Sequence, residues 1–254
     1  MEHGRVDYHP DSSAVGSALS SPADRGMVGA ANPEVPMKRA VIVLLCVAAV
    51  VLAAGKQVVE KETGTKFAAE LKGAAGGKRM VCIGTACREK TMFAVNVYAV
   101  AHWIEVEGAK KALAKWKGKT GKALEKDQAF FNALCKADVE KRLRLVFVRD
   151  VDAKKIREAF EDSLKNTFKP LPKPVKEFIA IWKAELKEGN TMELRSLPGG
   201  TLEAYQNDKL LKRFEKNKEL AAGVWQIWFQ KKLADGYLED VKAGLMSGVG
   251  AIWK

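Results

Sequence analysis

The chain has 254 residues, of which 47% are hydrophobic and 29% charged, and these proportions are typical of a globular protein. The net charge of +12 raises the question of a nucleic-acid or anionic-membrane partner. However, the lysines are spread out and interleaved with Glu, and the sequence has no zinc-finger spacing, RNA-binding aromatic signature or basic zipper. We therefore expect a solvated basic surface and no nucleic-acid partner, with peripheral contact to an anionic membrane as a further expectation.

Two segments precede the predicted domain. Residues 1–36 are rich in Gly, Ser, Ala, Asp and Pro without apolar periodicity, which predicts a disordered extension. Residues 37–54 combine Lys38 and Arg39 with an apolar run that ends in small residues, which is the pattern of a secretory signal peptide. We expect export to the periplasm or the medium, with Met37 as a candidate start. An uncleaved membrane anchor is the alternative, although the run is short for a bilayer span.

Residues 55–254 are predicted to form one domain, in which strands come early and helices late. β-branched and aromatic runs, or alternation of charged and apolar residues, predict strands at 57–61, 66–71, 80–83, 91–105, 141–148, 191–197 and 201–206. Ala, Lys and Leu enrichment or apolar stripes predict helices at 108–136, 152–166, 175–186, 219–231 and 237–246. Hairpin signals without regular strand–helix alternation indicate an α+β fold with an antiparallel sheet.

Metal or disulfide chemistry has little support in the sequence. After the signal segment three cysteines remain, so at least one has no partner within a monomer. Cys82 and Cys87 are too far apart for a usual Cys-x-x-Cys half-site, and His102 is the single histidine of the predicted domain. We predict no metal and no cofactor, and leave a Cys82–Cys87 disulfide open beside unpaired structural cysteines.

Four segments in order resemble the chalcone isomerase-like family. They are GTACREK with FAVNVYAVA from residue 84, LRLVFVRDV from residue 143, KEGNTMEL with PGGT from residue 187, and VWQIWF from residue 224. The resemblance implies an open-faced β-sandwich, in which a long antiparallel sheet is covered by helices on one face. It also implies a ligand held between the sheet and the helices, in a monomer.

The resemblance assigns candidate ligand-binding residues. Arg88 matches an Arg that holds an anionic oxygen in the family's isomerases and a carboxylate in its fatty-acid binders. Its planar donor fork suits either group. Tyr98 matches a Thr in isomerases and a Tyr in fatty-acid binders. Asn96 joins them because alternate residues of a strand share one face.

The departures from the family pattern favour binding over catalysis. Positions that carry a Tyr and an Asn in the isomerases fall near Asp152 and Ala159, and the helix 219–230 contains no Ser or Thr. The resemblance therefore implies non-catalytic binding of a fatty acid or a similar small carboxylate. The alternative is an isomerase, an intramolecular lyase of the chalcone isomerase type, acting on a flavonoid-like ligand.

Overall fold

A computed structural model of the chain describes residues 55–90 and 95–254. In these residues the strands form a two-stranded sheet and a seven-stranded sheet, and the larger sheet is an antiparallel meander in chain order from β3 to β9. The strands are β1 Gln57–Val59, β2 Lys66–Ala68, β3 Glu70–Lys72, β4 Arg79–Lys90, β5 Val95–Glu105, β6 Lys141–Phe147, β7 Thr191–Leu197, β8 Thr201–Gln206 and β9 Lys209–Phe214.

Helices fill the connections and the C-terminal part of the chain. They are α1 Val106–Ala112, α2 Gly121–Leu124, α3 Gln128–Lys136, α4 Ala153–Lys165, α5 Lys173–Ala180, α6 Lys218–Phe229 and α7 Tyr237–Gly244, with 3-10 turns at Ala114–Trp116 and Val249–Trp253. Among the described helices, each is too short or too polar to traverse a bilayer. The predicted signal segment, 37–54, and the predicted extension, 1–36, lie outside the described residues.

The two faces of the large sheet differ in chemistry. One face packs against the helices and forms the main core, where Trp225, Trp228 and Phe229 of α6 are almost fully buried. The other face carries a small apolar cluster around Trp103, and an ion-pair network on the later strands. In that network the Glu193 carboxylate accepts from Nη1 of Arg144 at 2.9 Å and from Nε of Arg195 at 2.5 Å. This one-sided helical cover confirms the predicted α+β, open-faced β-sandwich.

A bulge in β4 decides which of its side chains face the helices. The pairing with β5 shifts between Cys82 and Gly84, so Ile83 is the extra residue. Gly84 then lies against α7, where a Cβ added at this position would be 2.3 Å from the carbonyl oxygen of Gly244. Since alternation resumes after the bulge, Ala86 and Arg88 point toward the helices.

Several predicted boundaries were wrong. The strand predicted at 80–83 does not end there but continues through Gly84 to Lys90 as β4. The predicted helix 108–136 is three short helices and a 3-10 turn, divided at Gly118, whose φ is 82°. The hairpin across Pro198, Gly199 and Gly200 is confirmed, and a second hairpin follows it to β9, which was not predicted.

Candidate functional site

Arg88 and Tyr98 are paired directly across strands β4 and β5. Residues opposite each other in an antiparallel pair lie on the same face of the sheet, with Cβ atoms about 5 Å apart. Arg88 is only 9% exposed, and Tyr98 is half-buried against the main core. The two predicted ligand contacts are therefore neighbours on the helix-facing side.

The Arg88 guanidinium is already bound to a carboxylate. Its Nη2 donates to Oδ2 of Asp235 at 2.5 Å, and its Nη1 donates to the carbonyl oxygen of Glu89. The ring of Tyr237 lies 5.8 Å from the guanidinium carbon, within the range of a cation–π contact. These contacts hold a charged group in a position that little water reaches.

Tyr98 is fixed by aromatic neighbours. Its hydroxyl oxygen accepts a hydrogen bond from Nε1 of Trp228 at 3.2 Å, and its ring lies 5.6 Å from that of Phe147. Burial raises the pKa of the Tyr98 hydroxyl, while the hydrogen bond from Trp228 and the charge of Arg88 act in the opposite direction. The phenol stays protonated at neutral pH. Because its oxygen is the acceptor toward Trp228, its own proton is available for donation.

Asn96 does not join this pair. The β4–β5 register shifts between Arg88 and Glu89, so Asn96 lies opposite Glu89, and Val97 packs with Tyr98 against the main core. The simple alternation that placed Asn96 beside Tyr98 is interrupted by this bulge. Asn96 is consequently on the opposite face, together with Glu89.

Asp235 was not identified from the sequence. It lies in the connection between α6 and α7, 147 residues from Arg88 along the chain. Its Oδ1 also accepts from the backbone N–H of Tyr237 at 3.1 Å, at the start of α7. One carboxylate thus joins the sheet to a helix N-terminus. The available local signal was an Asp shortly before a predicted helix, which indicates a cap and gives no long-range partner.

Two of the cavities among the described residues lie close to β4. One of about 280 Å³ lies beside the pair and is lined by Glu62, Ala86, Cys87, Glu89, Tyr237, Asp240 and Gly244. The other, of about 450 Å³, lies near the C-terminus and is lined in part by Gly84, Gly121 and Trp253. Neither cavity is lined by Arg88 or Tyr98. In this conformation Asp235 lies next to Arg88, and Trp228 lies next to Tyr98.

The buried groups behind the site serve the core. His102 is fully buried and accepts from Nε1 of Trp225 at 3.1 Å. Burial, with a contribution from the nearby Lys141, lowers the pKa of His102 to about 3, so the imidazole is neutral. Within the described ranges, the acidic, Cys and His side chains form no cluster suited to a metal, and Cys82, Cys87 and Cys135 are free thiols.

Comparison with known proteins decides the family. The sequence profile described as chalcone isomerase-like matches residues 60–246. The chain belongs to the chalcone isomerase-like family. The resemblance read from the four sequence segments is therefore confirmed.

Two proteins that are similar to this chalcone isomerase-like protein, one in sequence and one in fold, come from plants. Chalcone isomerase-like protein 2 of Humulus lupulus is 39% identical over 56 residues, which are 22% of this chain and 27% of that protein. The match thus spans about a quarter of that relative's length. The crystal structure of the Arabidopsis thaliana fatty-acid binding protein AtFAP1 aligns with a TM-score of 0.59 at 20% identity, covering 75% of this chain and 99% of that one. This likeness shows a shared fold.

Proposed function

We propose that this chalcone isomerase-like protein binds a fatty acid or a similar amphipathic carboxylate without transforming it. Arg88 and Tyr98 would hold the head group. The observation that carries the proposal is the pairing of Arg88 with Asp235 at 2.5 Å, in a position where Arg88 is only 9% exposed. A guanidinium that holds one carboxylate oxygen on this face can hold another of the same geometry.

The surroundings of Arg88 suit an amphipathic ligand. The helix-facing side next to the pair is lined by large apolar groups, including Phe147 and Trp228, so a tail would replace apolar contacts. The protonated hydroxyl of Tyr98 supplies a second donor for the same head group. That a protein of the same fold is described as a fatty-acid binding protein agrees with this assignment.

Two positions favour binding over ring closure. Asp152 and Ala159 lie near the sites where the family's isomerases carry a Tyr and an Asn. Both are exposed, and Asp152 uses its carboxylate to accept from the backbone N–H of Lys154 at 2.6 Å, capping α4. Ala159 has no group that can donate or accept a proton, and the Asp152 carboxylate is occupied at the N-terminus of α4.

Calorimetric titration of the purified protein with a series of carboxylates from acetate to palmitate tests the proposal. We expect laurate-length acids to bind, and Arg88→Ala to weaken them by roughly 10–150-fold, the value of a hydrogen bond to a charged group. Arg79→Ala is the matched control, since Arg79 lies on the same strand but is exposed and paired with Glu70. Absence of carboxylate binding, or equal binding by both variants, would overturn the site. Turnover of a chalcone by the wild-type protein would contradict the non-catalytic part.

We also propose that the protein is exported by its segment 37–54. The support is the sequence pattern alone: two basic residues, a short apolar run and a small-residue exit. N-terminal sequencing of the protein recovered from its native cells tests this, with a start after the apolar run as the expected result. A recovered chain that still begins near Glu2 would exclude cleavage.

A further inference from the structure

Asp235 holds Arg88 through an unequal ion pair. The Arg88 side chain is 10% exposed, whereas that of Asp235 is 41% exposed. A buried guanidinium without an anion costs several kcal/mol, while a carboxylate at the surface regains water easily. The arrangement therefore demands an anion next to Arg88, but does not demand that the anion be Asp235.

Arg88 is also the fixed member of the pair. Arg88 belongs to the twelve-residue strand β4, where it is paired with β5, and it is held by the Glu89 carbonyl and the Tyr237 ring. Asp235 lies in the short connection 230–236, whose residues are exposed apart from Gln230 and Leu233. A change in this connection leaves the sheet intact, so Asp235 is the group that can move away.

Both ends of that connection are anchored. At the end of α6, the carbonyl oxygen of Phe229 accepts from Nε2 of Gln128 at 3.0 Å. The carbonyl oxygen of the next residue, Gln230, accepts from Nζ of Lys242 at 3.3 Å. At the other end, Oδ1 of Asp235 accepts from the backbone N–H of Tyr237. The anchors keep the carboxylate close to Arg88, which gives it a high effective concentration, of millimolar order or above.

We propose that Asp235 is an exchangeable counter-anion that a ligand carboxylate must displace from Arg88. This inference rests on the proposed function. A small free carboxylate cannot compete with a tethered one, because both offer the guanidinium the same bonds. A carboxylate with an apolar tail gains burial energy besides the head-group contact and can compete. Asp235 therefore selects amphipathic anions over small ones, because a ligand binds only when its affinity for Arg88 and the apolar surroundings exceeds that of the tethered carboxylate.

The test substitutes Asp235 in the full chain and titrates laurate, acetate and dodecanol. Asp235→Asn keeps a side-chain oxygen that can accept from the backbone N–H of Tyr237 but removes the charge. We expect laurate to bind about tenfold more tightly or better. The state in which Arg88 has no counter-anion, which is the state that binds the ligand, is then no longer a minor one. Acetate binding should become measurable, and dodecanol, which has no charge for Arg88, should be unaffected. Asp235→Ser, a second capping residue without charge, gives the same expectation should the first variant fold poorly.

A measurement without ligand accompanies the titrations. Phenylglyoxal modification of arginines, mapped by peptide mass spectrometry, should be slow at Arg88 in the wild-type protein and clearly faster in Asp235→Asn. Asp162→Asn is the matched control, because Asp162 is an exposed acid of α4 with the same charge change, no described bond to Arg88 and no place in the lining of either cavity. It should alter neither the Arg88 modification rate nor the laurate affinity.

The outcomes separate this inference from the proposed function. Unchanged or weaker laurate binding by Asp235→Asn, with binding still lost in Arg88→Ala, would overturn the role of Asp235 and leave the site intact. If neither the wild-type protein nor Asp235→Asn binds any of the carboxylates, both proposals fail together. Equal gains for laurate and dodecanol would also overturn the exchange, since they would report looser packing rather than a released charge.

Discussion

Arg88 of β4 lies directly opposite Tyr98 of β5, and each is held by a different element on the helix side of the sheet. Arg88 is paired with Asp235 before α7, and Tyr98 accepts from Trp228 of α6. Arg88 and Tyr98, the proposed head-group donors, are therefore positioned by both layers of the fold. A change in α6 should therefore affect Tyr98, and a change at the start of α7 should affect Arg88.

Tyr98→Phe should weaken laurate binding and lower stability. Loss of the phenol proton removes one hydrogen bond to the charged head group, for which we expect roughly a 10- to 150-fold loss of affinity. It also leaves Nε1 of the buried Trp228 without its acceptor, which should reduce the free energy of unfolding by about 1–3 kcal/mol. Calorimetry and urea denaturation measure the two effects.

Tyr205→Phe is the control for this prediction. Tyr205 also lies on the large sheet, but its hydroxyl donates to Glu203 within the ion-pair network. It should leave laurate binding unchanged. Equal affinity in Tyr98→Phe and the wild-type protein would exclude the hydroxyl from the site, whatever the stability result.

The pattern of residues was sufficient to predict the layers of the fold but not its irregularities. The β7–β8 hairpin was predicted because Gly199 and Gly200 supply the positive φ that the turn requires. The β8–β9 turn uses Asn207 and Asp208 at φ 49° and 61°, residue types that tolerate this region but are less distinctive than Gly. β9 was therefore missed although its two-residue turn carried a signal.

The site was predicted only in part because strand bulges and long-range pairs are not local properties. Arg88 and Tyr98 were identified by resemblance, and the register confirms that they share a face. Asn96 was placed wrongly because a one-residue bulge reverses the alternation on which its assignment depended. Asp235 was missed because only the packed fold brings it to Arg88.

Gly84→Ala should destabilise the domain and loosen the region around Arg88. A Cβ on Gly84 would lie 2.3 Å from the carbonyl oxygen of Gly244 and 2.4 Å from the carbonyl carbon of Leu245, so α7 must shift away from β4. We expect a loss of about 1–3 kcal/mol or more, as for other overpacked sites. Because α7 begins beside Asp235, phenylglyoxal should also reach Arg88 faster.

Gly250→Ala is the control for the crowding argument. A Cβ at Gly250 would meet nothing within 4 Å, and the residue is not among those with positive φ. The thermal midpoint of the Gly250→Ala protein should stay close to that of the wild-type protein. A Gly84→Ala protein as stable as Gly250→Ala would show that α7 does not pack tightly on β4.

Cys87 should be a slow nucleophile in the folded protein. Burial, followed by the charges of Glu60, Glu89 and Glu62, raises the pKa of its thiol to about 12. The reactive thiolate is then rarer than in the unfolded chain, by roughly a thousandfold. Alkylation with iodoacetamide at pH 8, quantified by mass spectrometry, should proceed at Cys87 only after denaturation. Glu89→Gln should raise the native rate, and an equally fast native reaction in the wild-type protein would contradict the environment described.

The stability of the domain should fall as the pH is lowered, because of His102. Burial keeps its folded-state pKa at about 3, below the usual value of 6.5, so the folded imidazole stays neutral while the unfolded one takes up a proton. The unfolded state therefore binds more protons between these two values. The stabilisation is complete above the unfolded pKa and is lost progressively as the pH falls toward the folded pKa. Lowering the pH from 7 to 5 should remove about 2 kcal/mol from the free energy of unfolding.

His102→Gln isolates this contribution, because its side-chain oxygen can still accept the hydrogen bond from Trp225 and it does not titrate. Other acids change the stability of both proteins alike, so the difference between the two curves reports His102 alone. We expect that difference to shift by about 2 kcal/mol over the same interval, measured by urea denaturation at each pH. Parallel curves for the two proteins would mean that His102 takes up its proton in the folded state as readily as in the unfolded state. They would contradict the assignment of a fully buried, neutral imidazole next to Trp225.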